Sequence, residues 1–149
     1  MIRLAELSHP SGVRFSPYSS VPERARVLLP STLPAALADP RKFVWGEDNV
    51  PIEMTFAQYF SRYVWDRDYS QGVEGRPEQP RGAGCGGHCP WADNADQLYP
   101  RARVVEIHVP EILPGTYPAQ FGCEWRSLRI WFEQDRGRWR LVALVHHEP

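Results

Sequence analysis

Residues 125–147 read WRSLRIWFEQDRGRWRLVALVHH, and this stretch decides the fold. Apolar and polar side chains alternate on both sides of the segment 135–138, DRGR, which has the composition of a tight turn. The pattern predicts two antiparallel strands, 125–133 and 139–147, joined as a β-hairpin. The C-terminal third of the chain is therefore predicted to be β.

The side chains also predict the register of this hairpin. If positions whose numbers sum to 273 face each other, one face is entirely apolar and Glu133 lies opposite Arg140. A slip by one residue would bring Arg140 onto the apolar face, which argues against it. The expected apolar pairs are Phe132 with Leu141, Ile130 with Ala143 and Leu128 with Val145.

An aromatic helix is predicted to cover these six side chains. Aromatic or aliphatic residues at 56, 59, 60, 63 and 64 have the spacing of one helix face, and Thr55 with Gln58 fits a capping box. We expect a helix over 55–65 whose aromatic stripe belongs to the core. The predicted fold class is α+β, an antiparallel curved sheet of roughly four to six strands with one main helix packed on one face. This arrangement is similar to cone-shaped folds of the nuclear-transport-factor type.

The remainder of the chain is predicted to consist of short segments, because 15 prolines are spread along it. A length of 149 residues is that of one domain, 1–149, and few periodic apolar positions indicate a long Gly/Pro-rich loop at about 70–98. Further strands are expected at 13–16, 24–29, 42–45 and 103–109, and a short helix at 31–39.

The sheet face opposite the helix, here called the mixed face, supplies the candidate binding residues. With the register above, strands 125–133 and 139–147 place Ser127, Arg129, Trp131, Val142, Leu144 and His146 on it. Strand 103–109 adds Val104, Glu106 and His108 if it joins the same sheet. The candidate site is Glu106, His108, Arg129, Trp131 and His146, which suits a small molecule, or proton transfer by a Glu/His pair. The alternative is a solvent-exposed face with a Glu106–Arg129 ion pair.

A second candidate is the loop sequence CGGHC at 85–89. Cys85, His88 and Cys89 are potential zinc ligands, with Cys123 or His9 as a fourth, although the spacing matches no complete zinc motif. A Cys85–Cys89 disulfide and two free thiols are equally open. Apart from this zinc, the sequence predicts no cofactor.

Net charge and motifs exclude several functions. A net charge of −1 predicts no nucleic-acid partner, and no apolar run reaches the roughly 18–20 residues that span a bilayer. No signal peptide is recognisable, which predicts a cytoplasmic protein. Nucleophile-elbow, P-loop and HExxH motifs are missing from the sequence. Asp66 and Asp68 follow the predicted helix, an unfavourable position for anions unless they are paired.

Several segments resemble an uncharacterised domain at the C-terminus of bacterial surface lipoproteins and SH3-domain-containing proteins. The resemblance covers most of the chain in order, except for the 85–89 loop and the terminal HEP. It implies a shared fold and export from the cytoplasm, but no known activity or catalytic residue. The segments are GVRFSPY (12–18), VWG (44–46), YVWDRDY (63–69), YP (99–100), VEIH (105–108), WRSLR (125–129) and WRLVALVH (139–146).

Three functional hypotheses follow. The first is a non-catalytic domain that binds a ligand or a protein through the mixed face. The second is a small enzyme that uses Glu106, His108 or His146 for proton transfer, and it requires these groups to converge in a cleft. The third is a domain with a zinc-stabilised Cys/His loop.

Overall fold

The computed structural model describes residues 1–18, 21–46, 51–75, 94–109 and 126–148. Within these ranges the protein is α+β, with a mostly antiparallel six-stranded sheet, a separate two-stranded sheet and a few short helices. The predicted fold class is confirmed, while the similarity to nuclear-transport-factor-type folds stays a prediction. The predicted loop over 70–98 contains regular structure at both ends, and its residues 76–93 lie outside the described ranges.

Outside strands β6, β7 and β8 the elements are short, as the prolines predict. The strand expected over 24–29 shrinks to two residues, and the helix expected over 31–39 shrinks to one turn with a proline in its first positions. The strands are β1 Val13–Ser16, β2 Val27–Leu28, β3 Lys42–Trp45, β4 Ile52–Thr55, β5 Val73–Gly75, β6 Arg103–Val109, β7 Arg126–Asp135 and β8 Arg138–His147. The helices are α1 Ile2–Leu7, α2 Leu33–Ala36, α3 Phe56–Tyr59 with a π-helical turn Phe60–Val64, a 3₁₀ turn Tyr69–Gln71 and α4 Ala95–Leu98.

The large sheet has the strand order β2-β1-β8-β7-β6-β5. All neighbours are antiparallel except β1 and β8, which run parallel and pair Arg14 with Ala143. The two-stranded sheet joins β3 to β4, and the chain enters α3 directly from β4. Strands distant in sequence, β1 and β8, are therefore neighbours inside the sheet.

A β-bulge divides the hairpin of β7 and β8 into two registers. Near the turn the predicted register is correct, with Phe132 opposite Leu141 and Glu133 opposite Arg140. Beyond a shift between Trp131 and Phe132 it is wrong by one residue, so that Ile130 faces Leu144 and Leu128 faces His146. The extra residue in β8 reverses the alternation of its side chains. The predicted register assumed that side chains alternate without interruption along both strands, and the bulge breaks this alternation.

The core on the helix side follows the aromatic stripe. The capping box between Thr55 and Gln58 is present, but the α-helix changes to a π-helical turn after Tyr59. Trp45 stacks on Tyr59 with ring centroids 3.9 Å apart, and Phe15 meets both Phe56 and Tyr59 edge to face. Of the six side chains expected under the helix, four belong to this cluster, whereas Ala143 and Val145 belong to a cluster on the opposite face.

Candidate functional site

Glu106 and Arg129 form a buried ion pair at the centre of the mixed face. They lie directly opposite each other on β6 and β7, and Arg129 Nε donates to Glu106 Oε2 over 3.2 Å. Each residue is only 3% exposed. The predicted cross-strand pair is present, but the face is neither an exposed surface nor an open pocket at this point.

Two further predicted residues lie on the same face. His108 faces Ser127, and His108 Nδ1 is 2.9 Å from Ser127 Oγ in a buried hydrogen bond. Trp131 lies opposite Val104, and its indole Nε1 is buried with no hydrogen-bond partner among the described residues. The structure therefore brings together Glu106, His108, Arg129 and Trp131.

Chain segments 21–25 and 94–102 pack on the mixed face. Val21, Ala25 and Ala95 are buried in one cluster with Trp131 and Val145. Asn94 joins the two segments, because its side-chain amide donates to Val21 O over 3.0 Å and its Oδ1 accepts from Val21 N over 2.7 Å. These segments cover part of the face on which the sequence predicted a binding pocket.

His146 is not on the mixed face, which corrects the prediction. The bulge turns it to the helix side, where its ring meets Tyr63 edge to face, and His147 takes the place facing Ser127. Burial, and next the positive charge of Arg129, lower the pKa of His147 to about 4, although Glu106 opposes the shift. His147 is therefore neutral near pH 7.

His146 instead belongs to a network around Asp66. Asp66 accepts hydrogen bonds from His146 Nε2 over 3.3 Å and from the hydroxyl of Tyr69 over 2.8 Å, and it lies 3.3 Å from Arg126 Nε. Burial would raise the pKa of Asp66, but the hydrogen bonds from His146 and Tyr69 outweigh it and hold that pKa below its usual value. Asp66 is thus paired, as its place after the helix requires.

The geometry separates one of the three groups that the enzyme hypothesis combines, because Glu106 and His108 share the mixed face whereas His146 does not. Glu106 and His146 lie on opposite faces of the sheet, so they do not converge in one cleft. The zinc candidates Cys85, His88 and Cys89, with Cys123, lie outside the described residues. The further candidate His9 is described, and its Nδ1 is 2.5 Å from Ser11 Oγ. In the ranges that are described, no three His, Cys, Asp or Glu side chains are grouped as metal ligands.

An open cavity lies elsewhere, between β2, α2 and β3. Its volume is about 810 Å³, and its wall is formed by parts of the segment from Arg26 to Phe43 together with Phe56. Val27, Leu28 and Leu29 contribute apolar surface to its lining. This volume lies within the usual range of small-molecule sites, roughly 300–1,000 Å³.

Two arginines and one aspartate supply the charge of this cavity. The guanidinium carbon of Arg26 lies 4.1 Å above the ring of Phe43, and that of Arg41 lies 5.6 Å from the same ring. Arg41 is paired with Asp39, with Nη2 and Oδ2 2.6 Å apart. Hydrogen bonds from the side chain and then the backbone of Arg41 lower the pKa of Asp39 to about 2, so that Asp39 is ionised near neutral pH.

Sequence reasoning did not identify this cavity. The strand near 24–29 and the strand at 42–45 were both expected, but no periodic pattern shows that the chain between them leaves an open space. The available signal was the pair of arginines, Arg26 and Arg41, in otherwise apolar short segments. Arginine side chains in such surroundings commonly stack on aromatic rings.

No protein-family model, curated protein or solved structure was found to match the chain. None of the helices in the described part of the chain is long and apolar enough to cross a membrane.

Proposed function

We propose that the protein is a non-catalytic binding domain that takes a small molecule in the cavity between β2, α2 and β3. The observation that carries the proposal is the cavity itself, about 810 Å³ with walls that are largely apolar and a guanidinium group stacked at one side. Ligand sites are typically concave and apolar with a few placed polar groups. The mixed face, where the sequence predicted the site, is filled by buried ion-paired and hydrogen-bonded side chains.

The titratable groups of the cavity favour binding over catalysis. Its charged lining consists of Arg26, Asp39 and Arg41. General acid–base catalysis needs a group whose pKa is near the working pH. Asp39 is far from this condition because Arg41 stabilises its ionised form. We therefore assign these groups to ligand recognition.

An uncharged fluorescent probe tests the proposal. Prodan, a neutral naphthalene dye, is expected to bind the wild-type protein with a blue-shifted emission, because it would leave water for apolar walls. Ala35 is exposed and lines the cavity, so Ala35→Trp should fill part of the space and weaken Prodan binding about tenfold or more.

The matched control is Ser61→Trp, since Ser61 is an exposed helical position that does not line the cavity. Circular dichroism and thermal unfolding would establish that both variants fold. Equal Prodan affinity in Ala35→Trp and wild type, or no binding to wild type, would overturn the proposal. We place this binding domain in the cytoplasm, with export as the alternative that the lipoprotein resemblance implies.

A further inference from the structure

We propose that the ligand of the cavity carries a carboxylate that pairs with Arg26, while its apolar body occupies the rest of the space. This inference rests on the proposed function and specifies its ligand class. It comes from three features: the lack of a counter-anion for Arg26 among the described residues, the pairing of Arg41 with Asp39, and the apolar walls.

Arg26 is a partly buried cation whose guanidinium group contacts aromatic rings. Its guanidinium lies over Phe43 and is 5.7 Å from the ring of Trp45. Its Nε is buried and has no hydrogen-bond partner within the described part of the chain. A buried donor without a partner is costly, and the cost is largest when the group is charged. An incoming anion would compensate the positive charge of this guanidinium group.

The positive charge of Arg41 strengthens the attraction of an anion to Arg26. Both guanidinium groups approach the ring of Phe43, and burial together with the positive charge of Arg41 lowers the pKa of Arg26. Asp39 does not compensate Arg26, because its two carboxylate oxygens accept from Nε, Nη2 and the backbone N–H of Arg41. The charged lining thus has two cations and one anion.

The shape of the guanidinium and the walls define the ligand. A guanidinium presents its N–H donors in a planar fork that matches the two oxygens of a carboxylate. Beyond it, Val27, Leu29 and Ala35 offer apolar surface, and Val27 and Leu29 are partly exposed. The chemistry that fits is a small carboxylic acid with an aromatic or alkyl body.

Two isosteric probes separate charge recognition from apolar binding. We expect 2-naphthoate to bind wild-type protein at least about tenfold more tightly than neutral 2-naphthamide in calorimetric titrations, because a charged hydrogen bond is gained. Arg26→Gln should reduce this preference to about twofold or less, mainly by weakening the binding of 2-naphthoate. Arg101→Gln, at an exposed position that does not line the cavity, should keep the full preference.

The outcomes distinguish the inference from the proposed function. Equal binding of both probes to wild type, with Prodan still bound, would overturn the carboxylate inference and leave the binding domain. A preference that survives Arg26→Gln would overturn the role of Arg26. Failure of Prodan and both naphthalene probes to bind would overturn the proposed function and the inference together.

The variant Asp39→Asn provides an independent test of the charge recognition. Removing this carboxylate frees Arg41 as a second cation, so the affinity for 2-naphthoate should rise several-fold and that for 2-naphthamide should not change. The rise should shrink in high salt. An unchanged 2-naphthoate affinity in Asp39→Asn would contradict the assignment of Asp39 as the group that neutralises Arg41.

Discussion

At the scale of single residues, the mixed face shows that burial changes the energetic role of paired polar side chains. Glu106 and Arg129 would contribute little to stability on a solvated face, but here both are almost completely buried. Removing water from two charges is expensive, and their attraction offsets this cost only when both partners are in place. Because each charge already has its partner and is buried, the pair is unsuited to binding a ligand.

His147 makes the stability of the protein depend on pH. Its pKa is about 4 in the folded protein against 6.5 for the free side chain, because burial and Arg129 disfavour its charged form. Between these values the unfolded chain binds more protons, so the free energy of unfolding should fall as the pH drops from about 6.5 to 4. We expect a loss of roughly 2–3 kcal/mol from this residue.

Urea unfolding of wild type and His147→Asn across this pH range measures that contribution. The free energy of unfolding should change clearly less with pH in the variant than in wild type, even if the variant is less stable at every pH. His9→Asn is the matched control, because it makes the same substitution outside strands β6, β7 and β8. Parallel curves for wild type and His147→Asn would refute the prediction.

At the scale of elements, the bulge in β8 explains what the sequence could and could not predict. The strands β1, β3, β6 and the hairpin follow from alternation and turn residues, which are local signals. The side of the sheet on which His146 lies cannot be predicted in this way, because it depends on one extra residue between two otherwise regular halves of β8. Residues 138–147 are mostly apolar on both sides, so either face of β8 is chemically acceptable and the alternation carries little information.

The pairing of β1 with β2 also depends on a feature that the sequence does not reveal, the space around Gly12. Its φ of +98° is in the region that favours glycine, and an added Cβ would lie 2.6 Å from Val27 Cγ1 and 2.8 Å from Leu28 O. The two strands approach each other at this point, where no side chain fits.

Gly12→Ala should consequently destabilise the protein more than Gly137→Ala. Gly137, in the hairpin turn, has a φ of +76°, but an added Cβ would meet nothing within 4 Å. We expect Gly137→Ala to lower the free energy of unfolding by about 1 kcal/mol, from backbone strain alone. Gly12→Ala should lower it by at least about 2 kcal/mol, from strain plus the clash. Chemical denaturation of both variants tests this difference, and equal losses would be inconsistent with the close approach of β2.

At the scale of the whole molecule, the N-terminal segment protects the large sheet. β1 pairs in parallel with β8, and just before it Ser8 bridges Leu141 while His9 N donates to Leu141 O over 2.8 Å. Without this segment, one side of β8 would present unpaired N–H and C=O groups next to buried apolar side chains. Such an edge is a template for association.

Deletion of residues 1–16 should therefore yield protein that aggregates or associates, because β8 loses its neighbour. Deletion of residues 1–7 removes α1 but keeps β1 and the bridge at Ser8, and we expect it to leave a folded protein of lower stability. Size-exclusion chromatography and far-UV circular dichroism compare the two. A 1–16 deletion with the elution volume and spectrum of the wild type would contradict the protective role of β1.

The position of β8 has a consequence for folding during synthesis. Of the described strands it is the last to leave the ribosome, yet it lies between β1 and β7 and is the one strand that joins the β2-β1 ribbon to β7, β6 and β5. A nascent chain that lacks β8 holds two separate ribbons with open edges, and non-local pairing of this kind forms slowly. We therefore expect the large sheet to be completed only after β8 has been synthesised.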